Sequence, residues 1–266
     1  MPGDIDKGGI PHELLNFYRE LIGIQKNYFE ECSLGLKASG NAGSSGGAAL
    51  QTPLLQQIQP AFDTALFIRV FRDITGMIAR NRPGLEGLEA IDKIPDSFLS
   101  QSFAQARNSS VNEVVNKDNG LLKFIFTNSI KPFLKAFAQS MEKGEVKAAE
   151  NHPFCPVCGG SPDMGRAVNP GGQRYLHCSL CGHEWLSKRL KCPYCLNEDH
   201  NLLSVIIVDD IPGCRIDVCE ACGSYLKVIA DETGGVSRLP EMADIETIYL
   251  DVVANQRGYT RSTLNI

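Results

Sequence analysis

Eight of the ten cysteines in this chain fall in four CxxC pairs: Cys155 with Cys158, Cys178 with Cys181, Cys192 with Cys195, and Cys219 with Cys222. Two residues between cysteines let both sulfurs turn toward one ion, so eight thiolates make two tetrahedral metal sites. A residue with positive φ just after the second cysteine lets the chain turn and aim amide donors at the sulfurs. Gly159, Gly182 and Gly223 meet that need, but Leu196 follows Cys195. The third knuckle is therefore expected to be the least regular. Nineteen residues separate Cys158 from Cys178 and 23 separate Cys195 from Cys219, close to the usual gap of about 15–20 in a CxxC...CxxC ribbon. The preferred pairing is first knuckle with second and third with fourth, because sequential closure makes the shorter loops. An interleaved pairing, first with third and second with fourth, stays open. Zinc and iron both accept four thiolates, and only iron in such a site can carry an electron.

The remaining reactive residues read more plainly. Cys32 and Cys214 are expected to be buried as small hydrophobes. His177 and His183 flank the second knuckle, and with Trp185 they are candidates for packing around the sulfurs or for facing a partner. The chain has no Gly-rich phosphate loop, GxSxG or HExxH, and four-cysteine sites are closed to substrate, so an enzyme is not expected. Residues 151–230 carry seven Lys plus Arg against eight Asp plus Glu, and thiolate sites add negative charge. A nucleic-acid-binding zinc ribbon is the alternative function this balance argues against. A rubredoxin-like electron carrier is a third reading and requires iron.

The elements that must position these cysteines divide at about residue 150. In residues 1–150, apolar spacing predicts an amphipathic helix from Pro11 to about Cys32, a second after Pro60, a third near Pro95, and a long one through "LLKFIFTNSIKPFLKAF", kinked or split at Lys131 by Pro132. The Gly/Ser-rich stretch 35–49 reads as a flexible connector. Beyond 150, the runs "QRYLHC", "HEWLSKRL", "LLSVIIV", "CRIDVC" and "SYLKVIA" read as short strands between cysteine turns. They give a first ribbon over 151–190 and a second over 191–240. A helix and tail fill 241–266, with Ile245, Ile248, Tyr249 and Val252 on one helical face. The fold class is α+β: a helical bundle, two metal ribbons of four cysteines each, and a C-terminal helix. Net charge is −5, and no apolar run is long enough to span a bilayer. The start "MPGDIDKGGI" lacks the features of a secretory signal, which points to a reducing cytoplasm.

The segments "FCPVCGGSP", "RYLHCSLCGHEW" running into "RLKCPYC", "CEACGSYLK" and "RGYTRSTLN" closely resemble the formate dehydrogenase accessory protein family, FdhE. The likeness covers residues 152–266 almost continuously and "TNSIKPFLKAFAQSM" more loosely. It implies a cytoplasmic maturation chaperone, absent from the final enzyme, that binds the catalytic subunit of a respiratory formate dehydrogenase and is needed for that subunit to become active. It further implies a helical N-terminal domain, two rubredoxin-like modules, and two metal ions at the eight cysteines named above, with iron favoured over zinc and a redox contribution open.

Overall fold

The computed structural model describes residues 10–38, 52–106, 119–141, 152–168, 172–209, 211–231 and 240–262. These divide between two packed units. One is formed by the described residues of Arg19–Lys147 with Val157–Gly159, and the other by those of Met1–Tyr18, Ala148–Pro156 and Gly160–Leu264.

The first unit is helical. Helix α1 (His12–Ala38) continues past Cys32 into the expected connector, whose residues 39–49 lie outside the described ones. Short helices α2 (Leu54–Ile58) and α4 (Leu88–Asp92) flank α3 (Thr64–Asn81), and α5 (Asp96–Ala106) and α6 (Gly120–Ser140) follow. Asp63 caps α3, its carboxylate accepting from the Leu66 N–H at 3.1 Å. From there Phe67, Val70, Phe71, Ile74 and Ile78 recur every three or four residues and are buried. Phe67 stacks on Phe103 of α5 with ring centroids 4.1 Å apart, and meets Phe126 of α6 edge-on at 5.1 Å. Apolar rings from three helices thus hold this unit together.

Helix α6 is not split at Lys131; it runs through Pro132. Proline lacks the N–H that would bond the carbonyl four residues earlier, here Asn128. Gln25 of α1 supplies the missing donor, its Nε2 lying 2.9 Å from the Asn128 carbonyl oxygen. A tertiary hydrogen bond thereby satisfies a buried acceptor that helix geometry alone leaves open.

In the second unit all strands join one seven-stranded sheet. The strands are β1 (Pro162–Val168), β2 (Gln173–Cys178), β3 (Glu184–Ser187), β4 (Leu203–Ile207), β5 (Cys214–Cys219), β6 (Ser224–Asp231) and β7 (Thr260–Arg261). Their order is β3-β2-β1-β6-β5-β4, with β7 parallel to β6. Each ribbon therefore repeats one layout: a knuckle, two antiparallel strands, a second knuckle and a third strand. The ribbons meet where β1 runs parallel to β6, with Gly165 opposite Val228. A Cβ at Gly165 would lie 3.0 Å from Val228 and 3.1 Å from Leu226, so the absence of a side chain permits this approach.

Two helices, α7 (Pro240–Glu246) and α8 (Ile248–Gln256), stand where one helix was expected. The break at Thr247 resets the helical phase, and the buried residues are Ala243, Thr247, Leu250 and Ala254, while Ile248, Tyr249 and Val252 are exposed. Leu250 and Ala254 close over Ile206, Ile216, Val218 and Tyr225, covering one face of β4, β5 and β6. Beside this core the buried Lys227 ammonium lies 2.7 Å from both Asp244 Oδ1 and Asp251 Oδ2. Arg261 also pairs with Asp244, and the Tyr225 hydroxyl donates to Asp251 at 2.7 Å. Two cations and two carboxylates thus lock α7, α8 and β7 to β6.

Candidate metal centres

The structure gathers Cys155, Cys158, Cys178 and Cys181 into one group and Cys192, Cys195, Cys219 and Cys222 into another, with all sulfurs of a group within 4.8 Å of one another. First knuckle stands with second and third with fourth, so the chain does not take the interleaved arrangement. Sulfur separations are 3.6 Å for Cys155–Cys181, and 3.7 Å for both Cys192–Cys222 and Cys195–Cys219. A tetrahedron with metal–sulfur bonds of about 2.3 Å has edges of about 3.8 Å, whereas a disulfide needs about 2.05 Å. The donor set and its spacing fit tetrahedral thiolate coordination by zinc or iron.

The knuckles share one backbone design. In three of them the first cysteine's N–H reaches the carbonyl five residues on: Cys155 to Gly160 at 2.8 Å, Cys178 to His183 at 3.0 Å, and Cys192 to Asn197 at 2.9 Å. The third is as regular as the others. Leu196 itself takes φ 62°, beside 81°, 68° and 68° at Gly159, Gly182 and Gly223. The Leu196 N–H donates to the Cys192 carbonyl at 3.1 Å, as Gly182 does to Cys178 at the same distance. A left-handed turn costs a non-glycine residue about 1–2 kcal/mol, so the departure in sequence appears as strain and not as altered shape. An amide donor also reaches a sulfur directly, Leu180 N–H to Cys178 Sγ at 3.4 Å, which favours the thiolate.

The two centres differ in exposure. Three sulfur-bearing residues of the first are buried and Cys158 is half-buried, whereas Cys195 and Cys222 of the second are exposed. Burial pushes the Cys192 thiol up. At Cys222 burial acts in the same sense, but the hydroxyl and amide of Ser224 donate to the sulfur and hold the thiol below its ordinary value. The C-terminal strand braces this knuckle: the Thr260 N–H donates to the Gly223 carbonyl at 2.8 Å, and the Tyr259 hydroxyl bonds Glu220.

The flanking candidates hold the frame. His177 is buried, and its Nδ1 lies 2.7 Å from Asp163 on β1. Burial disfavours its imidazolium, but that carboxylate outweighs it and raises the pKa. His183 is lowered by burial, and its carbonyl closes the second knuckle. Trp185 is buried on β3 opposite Leu176, its indole N–H without a hydrogen-bond partner among the described residues. Cys32 and Cys214 are buried, and burial pushes the Cys32 thiol up to about 12.

One positioning residue escaped the sequence. Arg174 is buried in β2 and donates to Asp217 of β5 at 3.2 Å, the Ser187 hydroxyl at 3.1 Å, and the carbonyls of Lys188 and Lys191 at 2.7 and 2.6 Å. It pins the connection between the ribbons just before Cys192. An arginine in a strand ordinarily reads as solvated, and only a partner 43 residues away makes it a strut.

The chain is similar to known proteins. The profile of the family described as "FdhE, central domain" matches residues 154–189, which contain the whole first cysteine group. A "Protein FdhE homolog" of Pectobacterium carotovorum is 30% identical over 78% of this chain and 69% of its own length.

The chain belongs to the FdhE family.

The FdhE homolog of Aquifex aeolicus is 24% identical over 96% of this chain and 88% of its own length. That of Haemophilus influenzae (strain Rd) is 30% identical over 66% of this chain, and the match spans 54% of the relative. The crystal structure of the FdhE protein from Pseudomonas aeruginosa shares the fold, with TM-score 0.58 and 19% identity over 95% of this chain and 92% of that one. Among the described residues no helix is long and apolar enough to cross a membrane.

Proposed function

We propose that this chain is a formate dehydrogenase accessory protein that binds the immature catalytic subunit in the cytoplasm and is needed for its activation. Membership of the FdhE family supports the client, and two groups of four cysteine sulfurs, each spaced to hold one ion, support a scaffold held in shape by two ions. Four thiolates per ion leave no open position of the kind a catalytic metal uses, so the chain acts by binding and not by turnover. If the ions are iron, the exposed second centre is the one from which an electron reaches a partner.

Affinity capture from formate-respiring cells tests the reading: a formate dehydrogenase catalytic subunit should be recovered, and repeated failure to recover one refutes it. Anaerobic purification of the untagged chain with iron and zinc analysis, before and after Cys155→Ser or Cys178→Ser, should show both variants losing the same single ion.

A further inference from the structure

On the face of the sheet opposite α8, strand β4 is open, whereas Leu226 and Val228 of β6 are buried. Residues alternate across a strand, so with Ile206 in the core, Leu203, Val205 and Ile207 stand on the other side. Val205 is 52% exposed and Ile207 72% exposed. With Leu190, 62% exposed, they border a groove of about 350 Å³ between β4 and the segment running from Arg189 to Tyr194. Its cations are Arg174, Arg189, Lys191 and Arg215, and the single carboxylate among its described lining residues is Asp217. Arg174 and Arg215 share Asp217, and Lys191 pairs with Glu198. Arg189 has no carboxylate partner among the described residues.

The same strand is an unprotected edge. The Glu220 N–H donates to the Leu202 carbonyl, and hydrogen-bonding direction alternates along an antiparallel strand. Ser204 and Ile206 therefore face β5, while Val205 and Ile207 turn their N–H and C=O groups outward; at Leu203 the N–H is taken by the His200 carbonyl and the C=O alone faces out. Leu203–Ile207 reads LSVII, without the charge or proline that commonly blunts an edge. The other ribbon shows what such an edge accepts. Strand β1 occupies the place in the first ribbon that β4 occupies in the second, and its outer edge is paired with β6, laid parallel.

We propose that β4 and this groove dock an extended peptide segment whose every second residue, the set on one face of the strand, is apolar and acidic by turns, added as a further strand on the sheet. Backbone hydrogen bonds to Val205, Ile207 and the Leu203 carbonyl hold the strand, and of the side chains on its groove face the apolar ones lie beside Leu190 and the carboxylates meet Arg189 and Arg215. A second copy of this chain is the poorer occupant. Its free strand β3 is followed by Lys188 and Arg189, which would bring like charge to a cationic rim. The identification of the segment with part of the client rests on the function proposed above.

Fluorescence anisotropy on the full metal-loaded chain tests the groove with three short peptides: one in which every second residue is valine and glutamate by turns with serine between, the same with lysine for glutamate, and the first with a central proline. The acidic peptide should bind saturably, and the other two about tenfold more weakly or worse. Val205→Asp and Arg189→Glu, both at exposed positions, should each raise its Kd about tenfold. Equal binding of acidic and basic peptides, or unchanged affinity in both variants, overturns the proposal. So does a sedimenting dimer that Val205→Asp abolishes, because the second copy is then the occupant. Capture of the client separates the two readings. Undiminished capture by Val205→Asp removes the groove as the client's dock and leaves the function standing. No capture by the wild-type chain, with the peptide results intact, refutes the function and leaves the groove.

Discussion

Gly160 follows the first knuckle, and a methyl group there would sit 2.9 Å from Cys178 Sγ and 3.1–3.2 Å from the Leu180 side chain. Ordinary contact between such atoms begins near about 3.5 Å. The sulfur, or the backbone carrying the methyl, must therefore yield by about 0.6 Å, while metal–ligand distances tolerate only about 0.2 Å. Overpacking of this kind costs about 1–3 kcal/mol, and here the strain falls on a ligand of the first centre. Gly223→Ala is the internal control. It lies in a knuckle of the second centre, at φ 68°, with nothing within 4 Å of the added carbon, so it bears about 1–2 kcal/mol of backbone strain and no clash. Both variants, loaded with zinc and dialysed against a graded chelator, should be compared with wild type by ions retained per chain. Gly160→Ala should release one ion at chelator concentrations that leave the other bound, and Gly223→Ala should retain both ions longer than Gly160→Ala does. If Gly160→Ala matches wild type throughout the titration, the account of a sulfur fixed by close packing is wrong.

Phe67→Ala removes the ring on which α3, α5 and α6 converge and should destabilise the helical unit by about 3–5 kcal/mol, read as a fall in urea midpoint at unchanged m-value. Lys227→Met removes the buried ammonium that joins Asp244 to the half-buried Asp251 and should cost about 3–5 kcal/mol; a variant as stable as wild type refutes the assigned network. At Asp244 burial raises the carboxyl, but hydrogen bonds and charge from Arg261 and Lys227 outweigh it and hold the group below 3.8. The unfolded state then takes up the proton first, so the stabilisation is complete above that value and is lost as pH falls through the lower folded value. Asp244→Asn should flatten the acid limb of stability measured by urea unfolding at a series of pH values; parallel limbs for variant and wild type contradict the shift.

The sequence discloses most where local chemistry is self-contained. CxxC spacing groups the sulfurs by loop length alone, and β2 and β5 fall on "QRYLHC" and "CRIDVC", which alternate and end in cysteine. Strand β1, "PDMGRAV", is invisible to such reading because Pro, Asp and Gly are depleted in strands; it exists through its two neighbours, with Gly165 allowing the contact to β6. Periodicity misplaces the exposed face of α8 because it assumes one unbroken helix, and Thr247 breaks it. Pro132 reads as a break because Gln25, more than 100 residues earlier in the chain, supplies the bond it lacks. Leu196 shows the converse, a side chain forced into a glycine's conformation by hydrogen bonds and ligands around it. Arg174 and the open groove lie beyond reach, since both arise only when the second ribbon lies beside the first.

The joint between β1 and β6 has a further consequence. It unites the first strand of one ribbon with the last strand of its repeat, a heterologous junction that does not close on itself. Whatever number of ribbons is strung together this way, one strand of each kind is left over at the two ends, here β4 and β3. Such a sheet has no built-in limit at two modules: it lengthens or shortens by whole ribbons, each bringing its own ion and leaving the hydrogen bonds of its neighbours intact.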